Sequence, residues 1–145
     1  MFEPVARPFW LTTTSHSMMP LMPPNSRIFI QPIAPALLRV GDIAVFIADN
    51  KLIAHRVLII KTDVFLQSGD AMLSAHTISF SQLLGKVLQI ETTDKIFVLS
   101  RKNWLQKIIA RSSHFIIRLH PQYPRLSHYL HRFKFHCIRL IIKIA

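Results

Sequence analysis

Near residue 100 the apolar residues of this chain change their period, so the two parts must fold differently. Before that point they come in short runs rich in Ile, Val and Phe, divided by turn-forming residues. After it they recur every three or four residues through two longer stretches. Short, closely spaced apolar runs are the mark of strands, and a three-to-four-residue recurrence is the mark of an amphipathic helix.

The runs at residues 27–31 (RIFIQ), 43–47 (IAVFI), 52–60 (LIAHRVLII), 64–67 (VFLQ), 84–91 and 96–99 read as strands. Ala48-Asp49-Asn50-Lys51, Lys61-Thr62-Asp63 and Thr92-Thr93-Asp94 read as turns between them, and residues 33–39 as a proline-bearing connection. Strands at this spacing predict a mainly β domain, barrel-like or sandwich-like, over residues 1–100. The chain has three glycines, in Gly41-Asp42, Gly69-Asp70 and Gly85-Lys86. So few glycines mark places where the backbone turns sharply or approaches another segment.

Residues 101–145 predict two basic amphipathic helices separated by Pro121 and Pro124. The first apolar stripe runs Trp104, Leu105, Ile108, Ile109, Ser112, Phe115, Ile116, Leu119; the second runs Leu126, Tyr129, Leu130, Phe133, Cys137, Leu140, Ile141, Ile144. Lys107, Arg111, His114 and Arg118 fall opposite the first stripe, and Arg125, His128, Arg132, Arg139 and Lys143 opposite the second. The formal charge of +11 is divided unevenly. Residues 1–100 carry eight Lys/Arg and all seven Asp/Glu, whereas residues 101–145 carry ten Lys/Arg and no acid. Such a tail points to an anionic partner. The stripes are expected either to pack on the β domain or to lie in an anionic membrane interface. Nucleic acid is disfavoured, because no groove-reading motif accompanies the charge.

Composition removes other classes. One cysteine, Cys137, excludes an internal disulfide framework and a multi-cysteine zinc site. Neither GxGxxG nor GxxxxGK[ST] is present, so no phosphate-cradling glycine loop is expected. Residues 8–26 lack Lys, Arg, Asp and Glu, but Pro8, Pro20, Pro23 and Pro24 interrupt them, so they do not read as a membrane span. The first ten residues, with Glu3 and two prolines, do not read as a signal peptide. A cytoplasmic or peripheral-membrane location is expected.

Two segments carry residue types suited to chemistry. Ser15-His16-Ser17-Met18-Met19-Pro20 holds serines in a backbone stiffened before a proline. A serine nucleophile needs such a fixed position and a base. His55, between Ala54 and Arg56 in an apolar strand, is a candidate base. Taken alone, a serine in a Thr/Ser run or a histidine in a strand is ordinary.

Their order is less ordinary. Ser15 to Pro20, then Val40-Gly41-Asp42-Ile43-Ala44-Val45-Phe46, His55-Arg56-Val57, Gly69-Asp70 and Gly85-Lys86-Val87 together resemble the type I signal peptidases. The wider superfamily includes the self-cleaving repressor proteases. The resemblance spans roughly residues 10–90. It implies a coiled all-β domain, followed here by the basic helices, and a serine endopeptidase that cleaves a signal or leader peptide. It implies Ser17 as nucleophile, His55 as base in the manner of the histidine branch, and Ser15 as an oxyanion donor. The backbone N–H of Ser17 is the second expected donor, and Met18 with nearby apolar strands would line a shallow site for a small side chain. Asp70 is either the acid that orients His55 or a structural turn residue. No metal or cofactor is expected. His16 stands where the family often has Gly, and Ala75-His76 where the histidine branch often has a further acid. Two rival readings follow: a degenerate member that binds peptides without cutting them, and a basic membrane-surface or nucleic-acid-binding protein.

Overall fold

The computed structural model describes residues 7–144. The expectation placed on the first residues, Glu3 and Pro4 among them, lies outside the described residues. Eight strands make one antiparallel sheet: β1 (Phe9–Thr12), β2 (Arg27–Pro32), β3 (Ile43–Ala48), β4 (Lys51–Ile60), β5 (Val64–Ser68), β6 (His76–Ser79), β7 (Leu83–Glu91) and β8 (Ile96–Val98). The order is β1-β2-β7-β3-β4-β5-β6, with β8 paired to β7. The chain is therefore mainly β with two C-terminal helices. The strand pattern in the sequence left out β1 and β6.

The central strand explains the core. Successive side chains on a strand point to opposite faces. On β3, Ile43 and Val45 enter one apolar cluster with Met18, Ile30, Val87 and Ile90. Ala44 and Phe46 enter a second with Val57, Phe65 and Ile78. Both faces of β3 are covered, so its sequence is apolar without alternation. The β3–β4 turn is tight: Asp49 and Asn50 both take positive φ, as a two-residue hairpin requires. Register shifts between Phe29 and Ile30, Val45 and Phe46, and Val57 and Ile59 break the ladder, and such bulges add twist.

Helices α1 (Asn103–Leu119) and α2 (Pro124–Ile144) follow. Pro124 opens α2 at its first position, where a missing N–H costs nothing. The buried faces differ from the apolar stripes of the sequence. α1 buries Gln106, Ile109, Ala110, Ser113 and Ile116. α2 buries Ser127, Lys134 and Ile138. Ser113 meets Lys134 between the two helices, Ser127 bonds His120 Nδ1 and the Pro124 carbonyl, and Gln106 has its partner beneath α1. α1 lies so close to Gly41 (φ 98°) that a Cβ there would be 2.8 Å from the Gln106 carbonyl carbon.

The partner beneath is Arg56, which has no solvent exposure. Its Nε and Nη2 donate to the two carboxylate oxygens of Asp70 at 3.1 and 2.6 Å. Its Nη1 donates to Gly41 O at 2.9 Å and to Gln106 Oε1 at 3.0 Å. Lys134 of α2 donates to Asp70 O and Ser113 Oγ, both at 3.0 Å. Burial pushes the Lys134 ammonium below its ordinary pKa; Asp70 opposes that shift and Arg56 adds to it. Removing one partner of a buried ion pair costs about 3–5 kcal/mol, because the other charge is left unmatched. Asp70→Asn is therefore expected to lower unfolding stability by an amount on that scale. Urea unfolding followed by circular dichroism checks it, and a midpoint equal to wild type would contradict the role given to the pair.

Candidate active site

Ser17 lies in the connection between β1 and β2. That connection begins as an extension of the hairpin, with Thr13 N donating to Ser26 O and Asn25 N to Thr13 O. It then tightens, with Met19 N donating to His16 O and Met22 N to Met18 O. Met18 and Met22 anchor the turn in the core. The Ser17 carbonyl accepts from Ala71 N at 2.9 Å. This contact needs Gly69: a Cβ there would lie 2.4 Å from Ser17 O and 3.0 Å from Ser17 Cβ. Gly69 is thus a site of close backbone approach.

The Ser17 hydroxyl stands 2.9 Å from His55 Nε2. His55 is placed by β4, opposite Ala44 of β3, with its ring edge-on to Phe46 at 6.2 Å. The other ring nitrogen, Nδ1, is 2.7 Å from Gln67 Oε1. An amide oxygen can only accept, so Nδ1 carries the proton and Nε2 is free to accept from Ser17. Ser15 Oγ donates to Ser17 Oγ and accepts from Ser17 N, both at 3.1 Å. The chain of contacts runs Ser15, Ser17, His55, Gln67.

The structure thus brings together Ser15, Ser17 and His55. Asp70 is placed elsewhere. Its carboxylate is engaged by Arg56, and Gln67 occupies the position on Nδ1 that the sequence offered to Asp70. The physical reason is register. Gln67 pairs with Val57, so its side chain shares a face with His55, whereas Ser68 pairs with Arg56 and leads Asp70 toward that residue. Asp70 N–H points at Met18 Sδ, 3.3 Å away. His16 is exposed. The sequence did carry a signal for Gln67: it shares a strand face with the buried Phe65, where a polar side chain needs a partner.

Burial lowers the His55 pKa from its ordinary 6.5; Gln67 and the charge of Asp70 oppose the shift, and His76 adds to it. The imidazole is therefore neutral near pH 7, the form that accepts a proton. Between the lowered value and 6.5 the unfolded chain binds a proton that the fold does not, so this group's contribution to stability falls as pH drops. Beside the pair is a groove of about 570 Å³, lined by Leu11, Ser17, Met22, Ile53, His55 and Met72 among others. Among the described residues no group of three or more His, Cys, Asp or Glu could hold a metal ion.

No protein-family model matches this chain, and no curated protein is significantly similar to it.

A nuclear magnetic resonance titration of the His55 ring is expected to give a midpoint below 6.5. Gln67→Glu puts a carboxylate on Nδ1, stabilises the imidazolium and moves the midpoint upward. A wild-type midpoint above 6.5, or no rise in the variant, would contradict the arrangement.

Proposed function

We propose that this protein is a serine endopeptidase of the signal-peptidase kind, acting on a signal or leader peptide. The observation that carries the reading is the Ser17 Oγ to His55 Nε2 contact at 2.9 Å, with Nδ1 held by Gln67. Ser17 attacks the peptide carbonyl and His55 takes its proton. His55 then returns the proton to the leaving amine, and water repeats the cycle on the acyl-enzyme. Ser17 N–H donates to Ser15 Oγ, which donates in turn to Ser17 Oγ; to serve as oxyanion donors both groups would turn from these bonds to the tetrahedral oxyanion.

The groove supports an extended substrate. β1 pairs with β2 along one edge and ends the strand order. Residues 51–55 of β4 pair with β3, and the β5 ladder begins only at Arg56. Both segments contribute to the groove lining. Unpaired strand edges offer backbone donors and acceptors to an added strand. An apolar lining that includes Met18, Met22 and Ile28 suits small or apolar side chains.

A second reading is a peptide binder that does not cut. One observation favours it: Nδ1 faces a neutral amide, which stabilises an imidazolium less than a carboxylate does. Turnover separates the two. Ser17→Ala and His55→Ala are each expected to abolish cleavage of a leader-type peptide, and the double variant to lose no more than either. Residues acting as one unit give non-additive losses. Labelling of Ser17 by a serine-directed acylating probe, absent in His55→Ala, would accompany cleavage. Peptide binding without labelling or turnover would establish the second reading, and wild-type turnover in either single variant would overturn the first.

A further inference from the structure

Much of the apolar surface of the two helices faces away from the sheet. On α1, Trp104, Ile108 and Phe115 are all more than half exposed. Steps of four and seven residues place them in one line along the helix. Lys107, Arg111 and Arg118 are exposed and repeat the same steps, so the basic line runs beside this exposed apolar line rather than opposite it, where the sequence pattern puts it. On α2, Leu126, Tyr129, Phe133, Leu140 and Ile144 are exposed at steps of three, four, seven and four. Arg125, Arg132, Arg139 and Lys143 run alongside, also exposed. Of the ten Lys/Arg in residues 101–145 only Lys134 is buried, and the segment has no acid.

We propose that the α1–α2 hairpin docks on an anionic lipid surface, lying in the interface without crossing it. Apolar ridges bordered by arginine and lysine match the boundary between acyl chains and anionic headgroups. Trp104 and Tyr129 are the residue types that settle there, with an apolar body and a polar tip. Among the described residues no helix is long and apolar enough to span a bilayer. The other occupants fit less well. A second copy would bring two sets of exposed cations together with no acid between them. A nucleic acid would match the cations and leave the ridges in water. Lys134 ties α2 to Asp70, one residue from the Ala71 N–H that holds Ser17, so docking would hold the Ser17 segment close to the lipid. The surface is argued independently of the Ser17–His55 chemistry, and cleavage of a soluble peptide reports on that chemistry separately.

The test uses the full chain with Trp10→Phe, which leaves Trp104 as its single indole. Vesicles are phosphatidylcholine alone or phosphatidylcholine mixed with phosphatidylglycerol, at low and high salt. Anionic vesicles are expected to bind at least about tenfold tighter than neutral ones, to shift Trp104 emission to the blue, and to release the protein as salt rises. Phe115→Ser with Phe133→Ser, both at exposed positions, should weaken anionic-vesicle binding by about tenfold or more while the circular dichroism spectrum is unchanged. Absence of a Trp104 shift would overturn the proposal. So would unchanged affinity in the double variant, tighter binding to an oligonucleotide than to anionic vesicles, or a dimer in solution that Phe133→Ser dissolves.

Discussion

A guanidinium with no access to water dictates how the parts of this protein meet. Desolvating a charge is costly unless paired geometry and further hydrogen bonds offset it. Arg56 has both: a two-pronged contact with Asp70, the Gly41 carbonyl and the Gln106 amide oxygen. These partners come from the β5–β6 connection, the turn before β3, and α1. Asp70 extends the set to α2 through Lys134, and to the Ser17 turn through Met18. The helices are thereby joined to the sheet by polar contacts as well as by apolar area.

That arrangement decides what could be read from the sequence. The strands of the middle of the chain were legible because β3, β4, β5 and β7 are apolar runs bounded by turn residues. β1 (FWLT) and β6 (HTIS) were not, since each is four residues long and partly exposed, so burial leaves little pattern in them. The helices were legible as helices, but their inward faces were not. Apolar periodicity selects Leu126, Tyr129 and Phe133, whereas α2 turns Ser127 and Lys134 inward. The demand that buried polar groups be matched outranked the apolar stripe, and only three-dimensional placement shows which groups are buried.

The site divides in the same way. Ser17 and His55 were legible through their order with neighbouring motifs. Which residue holds Nδ1 was not, because Gln67 and Asp70 are three residues apart and the choice depends on strand register. The outcome separates two duties. Asp70 neutralises Arg56 in the interior, and Gln67 fixes the imidazole tautomer. An uncharged partner leaves the histidine to burial, which keeps it neutral.

Residues 67–71 have a different task at each successive position. Gln67 holds His55, Ser68 bonds the Ser74 carbonyl at 2.6 Å, Gly69 makes room for Ser17, Asp70 receives Arg56, and Ala71 N–H holds the Ser17 carbonyl. No spacer lies between these duties. A single side-chain exchange disturbs one of these contacts: a Cβ at Gly69 displaces Ser17, and loss of the Asp70 charge leaves Arg56 unmatched. Insertion or loss of a single residue would instead shift all five assignments together, throwing Ser17, His55 and the ion pair out of alignment at once. In descendants of this chain, length should therefore be constrained across all five positions, whereas the connection at residues 33–39, much of it exposed, has no such fixed count.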